Sequence, residues 1–151
     1  MKALVQRVSE ARVRVGSRLI GAIGPGLLVF LGVDQGDARQ EAEWLAGKIA
    51  RLRIFEDAAG RMNRAVTDID GAALVVSQFT LCADLRRGNR PGFSQAAPPD
   101  LAERLYREFC SCLAESGVSV ETGEFAARMA VELVNDGPVT LWLDSRELMK
   151  A

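Results

Sequence analysis

Residues 27–33 read Leu-Leu-Val-Phe-Leu-Gly-Val without one polar side chain. That run restricts the chain to folds that bury a strand on both faces. The charge-free stretch around it, residues 19–33, contains Gly24-Pro25-Gly26 and is too short to cross a bilayer as a helix. It predicts two strands, at 18–23 and 27–33, around a turn. A second run, Ala-Ala-Leu-Val-Val-Ser-Gln-Phe-Thr-Leu at 72–81, predicts another buried strand.

The other elements follow from periodicity. From Lys2 to Val15 apolar residues alternate (Leu4, Val8, Val13, Val15) with Arg7, Arg12 and Arg14 opposite, the pattern of an N-terminal hairpin. Asp37 opens an amphipathic helix whose stripe is Ala42, Leu45, Ile49 and Leu52. Glu56-Asp57-Ala58-Ala59-Gly60 reads as a turn. A loop rich in Arg, Gly and Pro runs from Asp84 to Pro99. A second helix follows, with Leu101, Leu105, Phe109 and Cys112 or Leu113 on one face, stopped by Gly117. Strands are predicted at 118–121, 130–134 and 139–143, the last two separated by Asn135-Asp136-Gly137-Pro138. Strands in series with only two helices, and no regular βαβ alternation, predict an α+β fold. Its mixed, largely antiparallel sheet is expected to be barrel-like, with both amphipathic helices packed on it. The chain of 151 residues suits a single domain, 1–151.

There is no histidine. This removes Ser-His-Asp and Cys-His catalysis, imidazole bases and every His-containing metal site. No Asp-rich calcium loop, paired-cysteine zinc pattern or phosphate-cradling glycine loop is present, so neither a metal nor a cofactor is expected. An enzyme of this composition must act by positioning, backbone donors and a hydroxyl. The N-terminus lacks the apolar core of a signal peptide, which makes the cytoplasm the expected compartment, with no membrane partner. Cys82, Cys110 and Cys112 form an odd set and read as packed thiols. A net charge of −1 is not that of a protein gripping nucleic acid over its whole surface. Any RNA contact is local, and Arg86-Arg87-Gly88-Asn89-Arg90 is the candidate cluster.

Two stretches are candidates for chemistry. Ser77-Gln78-Phe79-Thr80 ends a strand expected to be deeply buried, where polar groups need partners or a cleft. It is either a strand with side chains alternating in and out, or a set of donors for a developing oxyanion, where each donor removes about 2.7–4 kcal/mol of barrier. Asn135-Asp136-Gly137-Pro138-Val139-Thr140 is either an ordinary turn or a rigid loop holding carbonyl oxygens against a ligand.

At these two stretches the sequence resembles the D-aminoacyl-tRNA deacylase family. Ser77-Gln78-Phe79-Thr80-Leu81 with Ala83-Asp84 is similar to its first motif, and Asn135-Asp136-Gly137-Pro138-Val139-Thr140 to its second. The opening Met1-Lys2-Ala3-Leu4-Val5-Gln6-Arg7-Val8 and the Gly-Asn-Arg-Pro-Gly-Phe stretch at 88–93 extend the likeness over the full chain. The resemblance implies hydrolysis of the ester between a D-amino acid and the 3′-end of tRNA, with activity on glycyl-tRNA. It implies a homodimer in which a cis Gly137-Pro138 reaches into the partner's pocket beside Ser77, Gln78, Phe79 and Thr80. Phe79 and Thr80 would offer backbone N–H groups, Arg7 would brace the Gly-Pro loop, and Met129 would contact the terminal adenosine. Asn135 and Val139 would line the substrate side.

Where the family commonly reads Phe-Gly-Ala-Asp-Met, this chain has Phe125-Ala126-Ala127-Arg128-Met129. Two rival readings are a non-catalytic RNA-binding module, against which an aromatic content of 6% weighs, and a related deacylase that edits misattached L-alanine. Arg7 together with an intact Gly137-Pro138 favours the D-specific member.

Overall fold

The computed structural model describes the whole chain, Met1–Ala151. Its sheet is built on one long strand, β1 (Lys2–Val15). Strands β2 (Arg18–Ile23) and β3 (Gly26–Gly32) run antiparallel along one edge of β1, and β8 (Ala130–Asp144) along the other. Beyond β3, β6 (Ala72–Ser77) and β7 (Ser119–Thr122) pair in parallel, so the sheet is mixed. It curls until β2 reaches β7: a methyl on Gly21 would lie 2.6 Å from the Thr122 carbonyl oxygen. The result is the barrel-like α+β architecture that the periodicities predict.

Helices α1 (Arg39–Ala50) and α2 (Pro99–Glu115) cover the sheet, burying Leu45 and Ile49 from one and Leu105, Phe109 and Leu113 from the other. They pack on Val29, Leu31 and Val75 in the main core. Gly117, at φ +91°, follows α2 as expected. Residues 56–60 turn between β4 (Phe55–Glu56) and β5 (Met62–Arg64), a small separate hairpin. One short helix not foreseen from the sequence, α3 (Ser145–Leu148), closes the chain, and no helix is long and apolar enough to cross a membrane.

Several expectations are corrected. Gly24-Pro25-Gly26 does not reverse the chain. Ala11 pairs with Ile23 and Val8 with Gly26 in one continuous register, so β2 and β3 are collinear pieces of one strand with a kink between them. The reversal is at Gly16, φ +58°. Gly26 serves close approach instead, since an added Cβ would stand 1.8 Å from the Ala72 carbonyl oxygen. Asp37 precedes α1 rather than opening it. Its carboxylate takes the Met1 ammonium at 2.8 Å and the Asp34 N–H at 2.7 Å, while Glu41 accepts the N–H of Ala38 at the helix start.

Arg7 is not opposite the core. Arg7 continues the alternation of buried Ala3 and Val5 in an unbroken register with β3, and is turned inward at 5% exposure. The strand at 72–81 stops at Ser77, and Phe79–Cys82 forms a 3₁₀ turn. Residues 135–138 likewise do not separate two strands. β8 remains on β1 throughout, and these residues are an outward excursion where the register slips from Val8↔Asn135 to Gln6↔Thr140.

Candidate functional site

The 3₁₀ turn begins where Gln78 leaves the sheet at φ −142° and ψ 77°, its N–H still held by the Leu31 carbonyl at 2.8 Å. The first residues of such a turn have N–H groups without intrahelical acceptors, and here these are Phe79 and Thr80. Deep burial of this stretch is not found. Ser77 and Gln78 are half-buried, and Phe79 and Thr80 are exposed. The Gln78 amide donates to the Thr80 hydroxyl. An amide cannot accept a proton as a base, so this hydrogen bond does not activate the Thr80 hydroxyl.

The 84–93 loop folds back over the turn. Asp84 and Gly92 exchange backbone hydrogen bonds of 2.7 and 3.0 Å, and Phe93 packs edge-on against Phe79 with ring centroids 5.0 Å apart. Asp84 also takes both arms of Arg86, at 2.9 and 2.6 Å. The Arg86 guanidinium and backbone N–H hold the Asp84 carboxyl far below the usual carboxylate range. Arg86 is therefore occupied, which leaves only Arg87 and Arg90 of the predicted cluster without a carboxylate partner.

The second stretch is built around Arg7. Its guanidinium donates to the carbonyls of Asp136 (3.1 Å) and Gly137 (3.4 Å) on one side and to that of Ile54 (2.6 Å) on the other, with the Asp136 carboxylate 3.2 Å away. Asn135 closes the base of the loop, its amide donating to the carbonyls of Arg7 (2.9 Å) and Val139 (3.1 Å). Val139 is buried, whereas Asn135, Asp136, Gly137 and Pro138 are exposed, and the Gly137-Pro138 bond is cis. A Cβ on Gly137 would meet nothing nearer than the Asn135 side-chain oxygen at 3.8 Å. Each backbone carbonyl bound by Arg7 is invisible to a side-chain pattern, so the Ile54 anchor has no signal in the sequence, whereas the inward turn of Arg7 continues the alternation of Ala3 and Val5.

The two stretches do not come together within one chain. Ser77 lies level with Leu31 and Ala3, whereas the Gly-Pro loop lies level with Arg7. Strands β1 and β3 intervene, about 14 Å along the sheet at ordinary strand spacing. No hydrogen bond joins them. Met129, by contrast, falls on the Ser77 side. Its sulfur stands over Gly123, whose N–H bonds the Val75 carbonyl at 3.2 Å, two residues before Ser77. In the segment that departs from the family pattern, Ala126 has φ +62°, a region that glycine enters freely and alanine rarely. The neighbouring Arg128 is exposed.

No group of three or more Cys, Asp or Glu side chains is gathered in a metal-binding arrangement. The buried polar cluster at the N-terminus is structural: Lys2 grips Asp34 at 2.7 and 2.8 Å, and Met1 donates to Ser145 at 2.8 Å. Burial opposes ionisation of Asp34, but the bonds from Lys2 and Cys82 outweigh it and lower its pKa.

Comparison with known proteins identifies the family and the fold. The family profile described as D-Tyr-tRNA(Tyr) deacylase matches residues 4–144. The chain is 63% identical over 144 residues to the D-aminoacyl-tRNA deacylase of Dinoroseobacter shibae, covering 95% of this chain and 99% of that one. It is 63% identical over 148 residues to that of Anaeromyxobacter dehalogenans, covering 98% and 99%. Among solved structures, the c-Myc DNA Unwinding Element Binding Protein superposes with a TM-score of 0.89 at 42% identity, covering 95% of this chain and 98% of that one. A probable eukaryotic D-amino acid tRNA deacylase gives 0.80 at 17% identity, covering 94% and 97%, a likeness of fold. The chain belongs to the D-aminoacyl-tRNA deacylase family.

Proposed function

We propose that this deacylase hydrolyses the ester of D-aminoacyl-tRNA, and of glycyl-tRNA, in a site made by two copies of the chain. One copy supplies Ser77, Gln78, Phe79, Thr80 and Met129. The other inserts Gly137 and Pro138, held by Arg7, Asn135 and Val139. The observation that carries this reading is the exposure of both stretches on opposite sides of β1 and β3, each internally braced and neither meeting the other. The work belongs in the cytoplasm, where tRNA is charged.

An aminoacyl ester is already activated, so orientation and oxyanion donors supply most of the acceleration. The free N–H groups of Phe79 and Thr80 receive the carbonyl oxygen as negative charge develops, and the tRNA's terminal 2′-hydroxyl assists the attacking water. Thr80 is not the nucleophile, because the Gln78 amide bonded to its hydroxyl cannot accept its proton.

D and L esters carry the same groups in different directions. Rigid carbonyls of Gly137 and Pro138 stand where an L side chain would project and reject it by clash and by unpaired polar contact; glycine, with no side chain, passes. Hydrolysis of matched D- and L-aminoacyl-tRNA by the purified protein tests this. Rapid cleavage of the D ester with the L ester left intact is expected, and comparable rates on both would overturn the filter.

A further inference from the structure

Unpaired cations are not spread evenly over the surface. Arg12, Arg39, Arg86 and Arg107 each lie within 4 Å of a carboxylate, but Lys48, Arg51, Arg53, Arg61 and Arg64 do not. These five run from the end of α1 through the β4–β5 hairpin. Of the acids beside them, Asp57 and Asp68 are engaged by the fold, and Glu56 is exposed without an ion pair. Asp57 accepts the N–H groups of Ala59 and Arg61 and the Asn63 amide, and Asp68 accepts the N–H of Ala65. Arg51 and Arg53 border an open cleft of about 510 Å³, shared with Thr67, Asp68 and Ser116.

This segment is tied to the Gly-Pro loop. Ile54, next to Arg53, gives its carbonyl to Arg7 at 2.6 Å, and the same guanidinium holds Gly137. Phe55 pairs with Arg64 across the hairpin. One buried side chain thus fixes the free cations relative to the proposed filter.

We propose that Lys48, Arg51, Arg53, Arg61 and Arg64 form a docking surface for the phosphate backbone of the tRNA whose 3′-end enters the site. This rests on the reading above that the substrate is an aminoacylated tRNA. Duplex RNA is gripped through phosphates and 2′-hydroxyls rather than bases, and in a chain of net charge −1 such contact requires a local concentration of free cations. The 86–90 loop offers fewer, since Asp84 occupies Arg86.

The test compares D-tyrosyl-tRNA with the D-tyrosyl ester of the terminal adenosine alone, on wild-type protein and on the Arg51→Gln/Arg53→Gln/Arg61→Gln/Arg64→Gln variant. The variant is expected to raise KM for the tRNA substrate tenfold or more while leaving cleavage of the short ester unchanged. Its dependence of log affinity on log salt, read with uncharged tRNA, should be shallower by about three. Arg51→Gln/Arg61→Gln, which removes two guanidiniums that make no hydrogen bond in the fold, should show about half that change in slope. A tRNA KM within twofold of wild type with an unchanged slope overturns the docking surface. So does an equal loss on both substrates, or a loss carried instead by Arg87→Gln/Arg90→Gln. Wild-type protein cleaving neither ester would overturn the proposed function, while the slope with uncharged tRNA would still decide the docking surface.

Discussion

The Arg7 guanidinium reaches the Gly137 carbonyl at 3.4 Å while donating to Ile54 at 2.6 Å, so one buried cation couples the Gly-Pro loop to the chain after α1. Charged donors to backbone carbonyls contribute about 1.5–3 kcal/mol each, and lysine cannot reproduce the planar fork. Arg7→Lys should therefore lower stability in urea by about 2–3 kcal/mol and cut D-ester cleavage more than it alters RNA binding. Unchanged stability would show that the brace is dispensable.

Asn135 has a smaller role of the same kind. Its amide ties Arg7 to Val139 across the mouth of the excursion. Asn135→Ala is expected to cost about 1–2 kcal/mol by leaving these carbonyls unpaired, measurable as a shift in the urea midpoint at constant slope.

Ala126 occupies a left-handed conformation at φ +62°. Replacing it with glycine, the residue common there in the family, should stabilise the fold by about 0.5–1 kcal/mol despite the greater freedom of the unfolded chain. Thermal denaturation checks the sign. A lower melting temperature for Ala126→Gly would mean that the conformation is not strained.

Cys82 and Cys110 should be unreactive in the folded protein. Burial, then the neighbouring Asp34, pushes the Cys82 pKa up to about 12, and burial pushes that of Cys110 up to about 11. Raised thiol values mean less thiolate at any pH below them, so alkylation of Cys82 and Cys110 at pH 8 should run about a hundredfold or more slower in native protein than in urea.

How much was legible in the sequence depended on where the information lay. Runs such as 27–33 and the stripe Ala42, Leu45, Ile49 declare their strands and helix because burial is a property of the side chains themselves. Gly24-Pro25-Gly26 and Asn135-Asp136-Gly137-Pro138 carry turn residues, but such residues mark any departure from regular backbone. Whether the chain reverses or only bulges is decided by pairing with β1, which no local pattern contains. The inward direction of Arg7 follows the alternation of Ala3 and Val5, but a charged side chain in that position reads as solvent-facing because its partners are carbonyls. The exposure of Phe79 and Thr80 shows that a hydrophobic run can end before its last apolar residue when the backbone leaves the sheet.

The account's central claim is that the two halves of the site belong to different copies. Phe79→Pro deletes one proposed donor at the first position of the turn, whose N–H has no acceptor within the turn, and Gly137→Ala adds a methyl that meets nothing nearer than 3.8 Å within its own chain. Each variant alone should be inactive on D-aminoacyl-tRNA. Unfolded together and refolded in equal amounts, they should recover about a quarter of the wild-type rate, because half of two-fold dimers are mixed and one of their two sites is intact. No recovery, with mixed dimers demonstrably formed, would contradict the account.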